Sequence, residues 1–151
     1  MARSYSVSAG GIAAQNSATV PQAQIVGAAT IRPKIYDLVI GSSSTPADQA
    51  AQMKLARSST ASTGGTAVTP SPIDPGDPAS LASAMVAPSM SAPTLGVTLL
   101  QWAQNQRATF RWVAAPGKEL VIPATANNGI TLLNPVLTGA FNLDFSIEYE
   151  E

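Results

Sequence analysis

The most regular pattern in the chain lies near its C-terminal end, where Phe141, Leu143, Phe145, Ile147 and Tyr149 alternate with Asn142, Asp144, Ser146, Glu148 and Glu150. A period of two sends successive side chains to opposite faces of a strand, so this segment predicts a half-buried β-strand with a polar outer face. Upstream, an apolar, β-branched run at 94–103 and a run at 108–114, with Phe110 and Trp112 on one side, flank Asn105-Gln106. That arrangement predicts a hairpin. Pro116-Gly117 and Asn127-Asn128-Gly129 are turn signals, and each precedes a short apolar run, at 120–122 and 130–133. The second half of the chain therefore reads as a succession of short strands.

The first half is less regular. Tyr5 and Val7 suit an N-terminal strand, and the run at 35–40, interrupted only by Asp37, suits a central strand covered on both faces. The segment 47–57 contains helix-forming residues, yet Ala51, Met53 and Leu55 alternate with Gln52, Lys54 and Ala56. Strand is the better reading, because a short helix among strands would stand isolated. Residues 58–65 are rich in Ser, Thr and Gly, and 70–79 contains Pro70, Pro72, Pro75 and Pro78. Both predict irregular surface loops, with the tip at 60–65 contributing little packing. The stretch 80–93 has room for one weak edge strand, since Pro88 and Pro93 oppose a central one. Together these elements predict a single all-β domain over 1–151. Its expected form is a jelly-roll-like antiparallel β-sandwich with long Ser/Pro-rich loops, irregular over 58–93, and room for an N-terminal arm over 1–20.

Composition changes what such a domain is for. Hydrophobic residues make up 45% of the 151-residue chain and charged residues 11%, against about 25% charged in an ordinary soluble domain. A surface covered mainly by Ser, Thr, Ala, Asn and Gln carries little repulsion between copies, which favours self-association or docking onto a larger assembly. The net charge is −1, and Arg3, Arg32, Lys34, Lys54, Arg57, Arg107, Arg111 and Lys118 are scattered. No basic stripe for nucleic acid is expected, nor a membrane span, since no apolar run approaches about 20 residues. The first residues lack the apolar stretch of a secretory signal, and the absence of Cys suits folding in a reducing cytoplasm.

Candidate chemistry is thin. The chain has neither His nor Cys, which removes the commonest general base, the commonest metal ligand and the best thiol nucleophile. Glu148, Glu150 and Glu151 suit a solvated face and tail. Asp74 and Asp77, in Asp-Pro-Gly-Asp-Pro, form the only other close acid pair, but the regular oxygen spacing of a calcium loop is missing and Asp before Pro is a common turn opener. Gly10-Gly11 and Gly64-Gly65 lack the spacing of a phosphate-binding loop and read as turns or flexible tips. No catalytic residue, metal site or cofactor is expected. Arg111-Trp112 with Trp102 and Phe110 nearby is the densest aromatic cluster, and Trp and Arg most often anchor protein interfaces. Arg3, Tyr5, Trp102, Arg111 and Trp112 are the expected partner-interface residues, although a large aromatic in a strand often belongs to a core instead.

The segment Asn105-Gln106-Arg107-Ala108-Thr109-Phe110-Arg111-Trp112-Val113-Ala114-Ala115-Pro116-Gly117-Lys118-Glu119-Leu120-Val121-Ile122-Pro123 resembles a stretch found in small proteins encoded among the structural genes of tailed bacteriophages. So do the opening Met-Ala-Arg-Ser-Tyr-Ser-Val, the Ile-Gly-Ser-Ser-Ser-Thr-Pro-Ala-Asp run at 40–48 and the Asp-Pro-Gly-Asp-Pro-Ala-Ser run at 74–80. The resemblance covers most of the chain in order and contains no catalytic motif. It implies a virion structural protein; size and expected β-content extend this to a capsid decoration, or cement, protein on the head exterior, assembled in the host cytoplasm. The expected partners are the phage major capsid protein and other copies of the chain, as a homotrimer at positions where three capsid subunits meet. A tail, neck or fibre-base component is the principal alternative. A carbohydrate-binding sandwich is less favoured, because aromatics are only 5% of the chain, and a hydrolase has almost no residues to work with.

Overall fold

A computed structural model describes residues 2–137 and 139–151. Among them are twelve strands and no helix: β1 (Ser4–Ala13), β2 (Ala23–Val26), β3 (Lys34–Ser43), β4 (Ala50–Ser58), β5 (Thr66–Val68), β6 (Ser71–Pro72), β7 (Ser83–Val86), β8 (Leu95–Asn105), β9 (Phe110–Val113), β10 (Leu120–Val121), β11 (Gly129–Leu137) and β12 (Asn142–Glu150). They form two six-stranded sheets, ordered β10-β3-β12-β1-β6 with β9 also on β3, and β5-β7-β2-β11-β4-β8. Every pairing is antiparallel. No described helix is long and apolar enough to cross a membrane.

The alternation in the sequence explains why the sheets face one another. Leu143, Phe145, Ile147 and Tyr149 of β12, with Tyr5 and Val7 of β1, point inward and meet Met53 and Leu55 of β4 and Ile130 and Leu132 of β11 in one core cluster. The polar members of the same strands point out. The fold is an all-β sandwich, as the patterning predicts, and 47–57 is largely the strand β4 with Ala51, Met53 and Leu55 buried.

The order of pairing is nested. β1 pairs with β12, β2 with β11, β3 with β9 and β4 with β8. The chain thus behaves as a long antiparallel ribbon whose successive pairs, β1–β12, β2–β11, β3–β9 and β4–β8, fall alternately in the two sheets.

This nesting overturns the hairpin expected at 94–114. β8 pairs with β4 in one sheet and β9 with β3 in the other, so residues 106–109 cross between sheets. The Trp102 ring stacks on Phe110 across that crossing, at 4.4 Å between centroids and 13° between planes. Pairing with β4 and β3 sets both rings against the core, whereas a two-stranded hairpin would have left their inner faces to each other alone.

Other expectations shift for similar reasons. Residues 4–13 are not an arm but β1, inserted between β12 and β6. The stretch 58–93 is not wholly irregular, because it contributes β5, β6 and β7. β7 is an internal strand between β2 and β5 rather than an edge, and Pro88 and Pro93 lie beyond its last residue, where they remove no ladder donor. β3 is central, but it is covered on one face only. A bulge opposite Glu148 and Tyr149 makes Tyr36 the extra residue, which turns Ile35 inward alongside Leu38 and Ile40 and leaves Asp37 and Val39 on the outer face.

β2 has no clear sequence signal, because its four residues are all buried and one is Gln24. The amide of Gln24 donates to Ser58 Oγ at 2.8 Å and to the Thr60 carbonyl at 2.9 Å, and its oxygen accepts from the Ser62 amide at 2.7 Å. A buried amide needs such partners. They also tie down the loop at 60–65, which is therefore not a free tip.

Candidate functional site

The outer face of the first sheet carries an open groove of about 420 Å³. Its floor is built from residues small enough to leave backbone accessible: Ser8 and Gly10 of β1, Gly41 of β3 and Ser146 of β12, beside Val39, with Thr109 as a wall. β1 bulges at the groove, between Ala9 and Ile12. Gly11 takes φ +68° there, a left-handed conformation that glycine adopts without penalty. Gly10-Gly11 is thus a bulge inside a strand, not a turn or a loose tip.

The bulge aims the Gly11 amide at Asp144, donating to Oδ1 at 2.5 Å, and the Ser43 hydroxyl donates to the same oxygen at 3.2 Å. Ser6, Ser8 and Ser146 form a run of hydroxyl contacts at 2.9–3.2 Å alongside. Among the described residues, Asp144 is the one ionisable side chain lining the groove. Its Oδ1 is already held by the Gly11 amide and the Ser43 hydroxyl.

A second recess, of about 410 Å³, lies by the start of β1 and is lined by Arg3, Ser4, Ile73, Asp74 and Asp77. Asp74 accepts the Gly76 amide at 2.9 Å and Asp77 donates its own amide to the Asp74 carbonyl at 3.0 Å, so the acid pair builds a turn. The Asp77 carboxylate lies 3.6 Å from the Arg3 guanidinium.

The five residues expected at an interface do not form one patch. Arg3 is half-exposed beside Asp77. Tyr5 is only 1% exposed: its ring stacks on Tyr149 at 5.7 Å and its hydroxyl donates to the Pro78 carbonyl at 3.1 Å. It is a core residue and offers no surface. Trp102 and Trp112 pack, partly buried, against the core, and the Trp102 indole N–H donates to Gln104 at 2.8 Å. Arg111 is exposed but committed, because its Nε and Nη2 reach both Asp37 oxygens, at 3.1 and 2.5 Å. That fork neutralises a nearly buried carboxylate, which would otherwise be costly to leave unpaired. β9 holds Arg111 and Trp112 on one side of β3, and β12 lies on the other side between β3 and β1.

Sequence reasoning missed Asp144, Ser8 and Ser146 as site residues. The signal available was the polar half of the two strand alternations, which by itself reads as a solvated face. Glu148 and Glu150 do lie on that polar face, half-exposed.

Glu151 works as a clamp. Its carboxylate accepts the Leu81 and Ala82 amides at 3.2 and 3.0 Å and a hydroxyl hydrogen bond from Ser80, whose oxygen also lies 2.7 Å from Tyr149 Oη. Burial pushes the Tyr5 and Tyr149 hydroxyls above their usual value of 10.0, and the Glu151 charge adds to the effect on both. The folded state therefore holds these protons more tightly than the unfolded chain, so the stabilisation is complete below about pH 10 and is lost as pH rises past it. The melting temperature is expected to stay level from about pH 6 to 8, where no side chain of this His- and Cys-free chain has its ordinary pKa, and to fall above about pH 10. Thermal melts across a pH series check this; a fall already near neutrality would contradict it.

No protein family, curated protein or solved structure matches the chain.

Proposed function

We propose that this protein is a structural component of a virion that decorates and stabilises the outer surface of an icosahedral phage head by bridging major capsid subunits. The observation that carries the reading is the nested pairing of β1–β12, β2–β11, β3–β9 and β4–β8. It supports a jelly-roll reading of the sandwich, an architecture common in viral capsid proteins and lectins. Fold analogy alone does not assign function. Two features narrow it: a low-charge surface suited to packing among many copies, and a groove whose only ionisable group is a carboxylate already held by Gly11 and Ser43. The lectin alternative would draw on aromatic platforms, and here Trp102, Phe110 and Trp112 are packed against the core.

The mechanism is linkage. A protein that binds only the expanded lattice stabilises that lattice by mass action. Its site is assembled from several capsid subunits, so copies grouped where three subunits meet engage several contacts at once and gain effective concentration. Contacts from a chain with only 11% charged residues are mainly apolar and backbone-mediated, so occupancy changes little between about 50 and 500 mM salt. Purified protein mixed with stripped expanded heads, stripped precursors and tails, with bound copies counted by cryo-electron microscopy, tests this. Binding across the expanded head surface and raised heat resistance are expected. Density restricted to the portal vertex or the tail would replace decoration with a neck or fibre-base role.

A further inference from the structure

Among the described residues the sandwich has one long open edge. β8 ends the second sheet and runs for eleven residues, whereas β5 at the opposite edge has three, β6 has two, and β9 and β10 on the edge of β3 have four and two. An edge strand presents unpaired amides and carbonyls to any other strand, and monomeric proteins blunt it with charge, proline or bulges. From Leu95 to Asn105, β8 contains no charged residue and no proline. Bulges do occur, between the pairs Leu55/Leu100 and Ala56/Thr98 and again before Ser58/Leu95. They confine the irregularity to the first half and leave Leu100–Asn105 regular.

Backbone alternation shows which groups are open. The Gln106 amide donates to the Gln49 carbonyl at 2.9 Å, and the register is unbroken from Gln106 back to Leu100, opposite Leu55. Gln104, Trp102 and Leu100 therefore direct their amides and carbonyls at β4, while Gln101, Ala103 and Asn105 direct theirs away from it. The Asn105 carbonyl accepts the Ala108 amide at 2.9 Å. The outward side chains at 101, 103 and 105 are exposed.

We propose that β8 pairs antiparallel with β8 of a second copy about a two-fold axis, with Ala103 opposite its own copy and Gln101 opposite Asn105. This is the register that centres the regular half of the strand and uses its open outward groups, the Asn105 carbonyl staying with the Ala108 amide. The occupant follows from self-compatibility. A two-fold strand pair sets each residue against its own sequence, so an interior charge at the pivot would face itself; β8 has none from Leu95 to Asn105, so it meets its own copy without like-charge repulsion. The two sheets then join into one continuous sheet across the pair. The free protein is a dimer, and any threefold grouping on a head is imposed by the lattice.

Light scattering coupled to size-exclusion chromatography over a concentration series is expected to give twice the 15.4 kDa chain mass. Ala103→Lys sets two ammonium groups face to face and is expected to abolish the doubled mass, leaving the circular dichroism spectrum unchanged because Ala103 is exposed. As a test independent of that variant's folding, Ala103→Cys is expected to give a disulfide-linked dimer on mild oxidation, since an antiparallel pair sets facing Cα atoms about 5.5 Å apart. Val113→Cys, exposed on β9, is expected to give none. A wild-type mass of one chain or of three, an A103K protein that dimerises as wild type does, or an A103C dimer that does not cross-link overturns the proposal. So does a monomer whose head binding is lost in A103K, which would assign this edge to the capsid protein.

Discussion

Removal of the residues from Phe141 onward is expected to leave a chain with no cooperative unfolding transition. Phe141, Leu143, Phe145, Ile147 and Tyr149 are 5%, 0%, 4%, 3% and 0% exposed. Each buried side chain of this size contributes about 1.5–3 kcal/mol, so together they match a whole domain's net stability of about 5–15 kcal/mol. Position makes the loss worse. β12 lies between β1 and β3, in register with both along most of its length, so its removal opens two internal edges at once and releases the Glu151 clamp on residues 80–82. Far-ultraviolet circular dichroism during urea titration checks this: a sigmoidal transition in the truncated protein would mean that the other strands carry the fold. Leu143→Ala, which leaves the strand in place, is expected to stay folded and lose about 2–5 kcal/mol.

The second large effect is expected from one atom. Gly129 opens β11 between β2 and β4, and a Cβ there would stand 2.4 Å from the Ile25 carbonyl oxygen and 3.3 Å from Ser58 Oγ. The first obstacle is backbone of a neighbouring strand, so it cannot turn aside as a side chain would. Gly129→Ala is expected to cost about 3 kcal/mol or more, at the upper end of overpacking, by separating β2 from β11. Gly117→Ala is the useful contrast. Gly117 has φ +77° with nothing within 4 Å of a built Cβ, so only the left-handed conformation is penalised, at roughly 1–2 kcal/mol. Chemical denaturation of the two variants ranks them; equal losses would show that β2 can shift to make room.

The groove shows how far side-chain types alone reach. Ser8, Ser146 and Asp144 are visible in the sequence as polar alternates, and Gly10-Gly11 as a flexible pair, but Ser8 meets Ser146 only through the β1–β12 register and Gly11 meets Asp144 only at the bulge between Ala9 and Ile12. The Arg111–Asp37 fork is similar: the residues are 74 positions apart and become neighbours only because β9 pairs with β3 rather than with β8. Tyr5 shows the reverse. An aromatic near the N-terminus suggested an accessible anchor, and the insertion of β1 beside β12 buried it.

By itself the sequence determined the class of fold and the inward face of most long strands, because a period of two is a local property that any partner must respect. It also determined the scarcity of charge and the absence of His and Cys, and with these the kinds of chemistry open to the protein. Only the tertiary structure decided which strands pair. The runs at 94–103 and 108–114 are adjacent in the chain and alternate correctly for a hairpin, yet β8 and β9 lie in different sheets, since the open edges of β4 and β3 offer each run a packed core. Strands without alternation, such as β2 with Gln24 buried among the residues at 58–62, and β5, β6 and β7 within a loop-like composition, form for the same reason. Their stability comes from partners distant in the chain, and no local pattern records them.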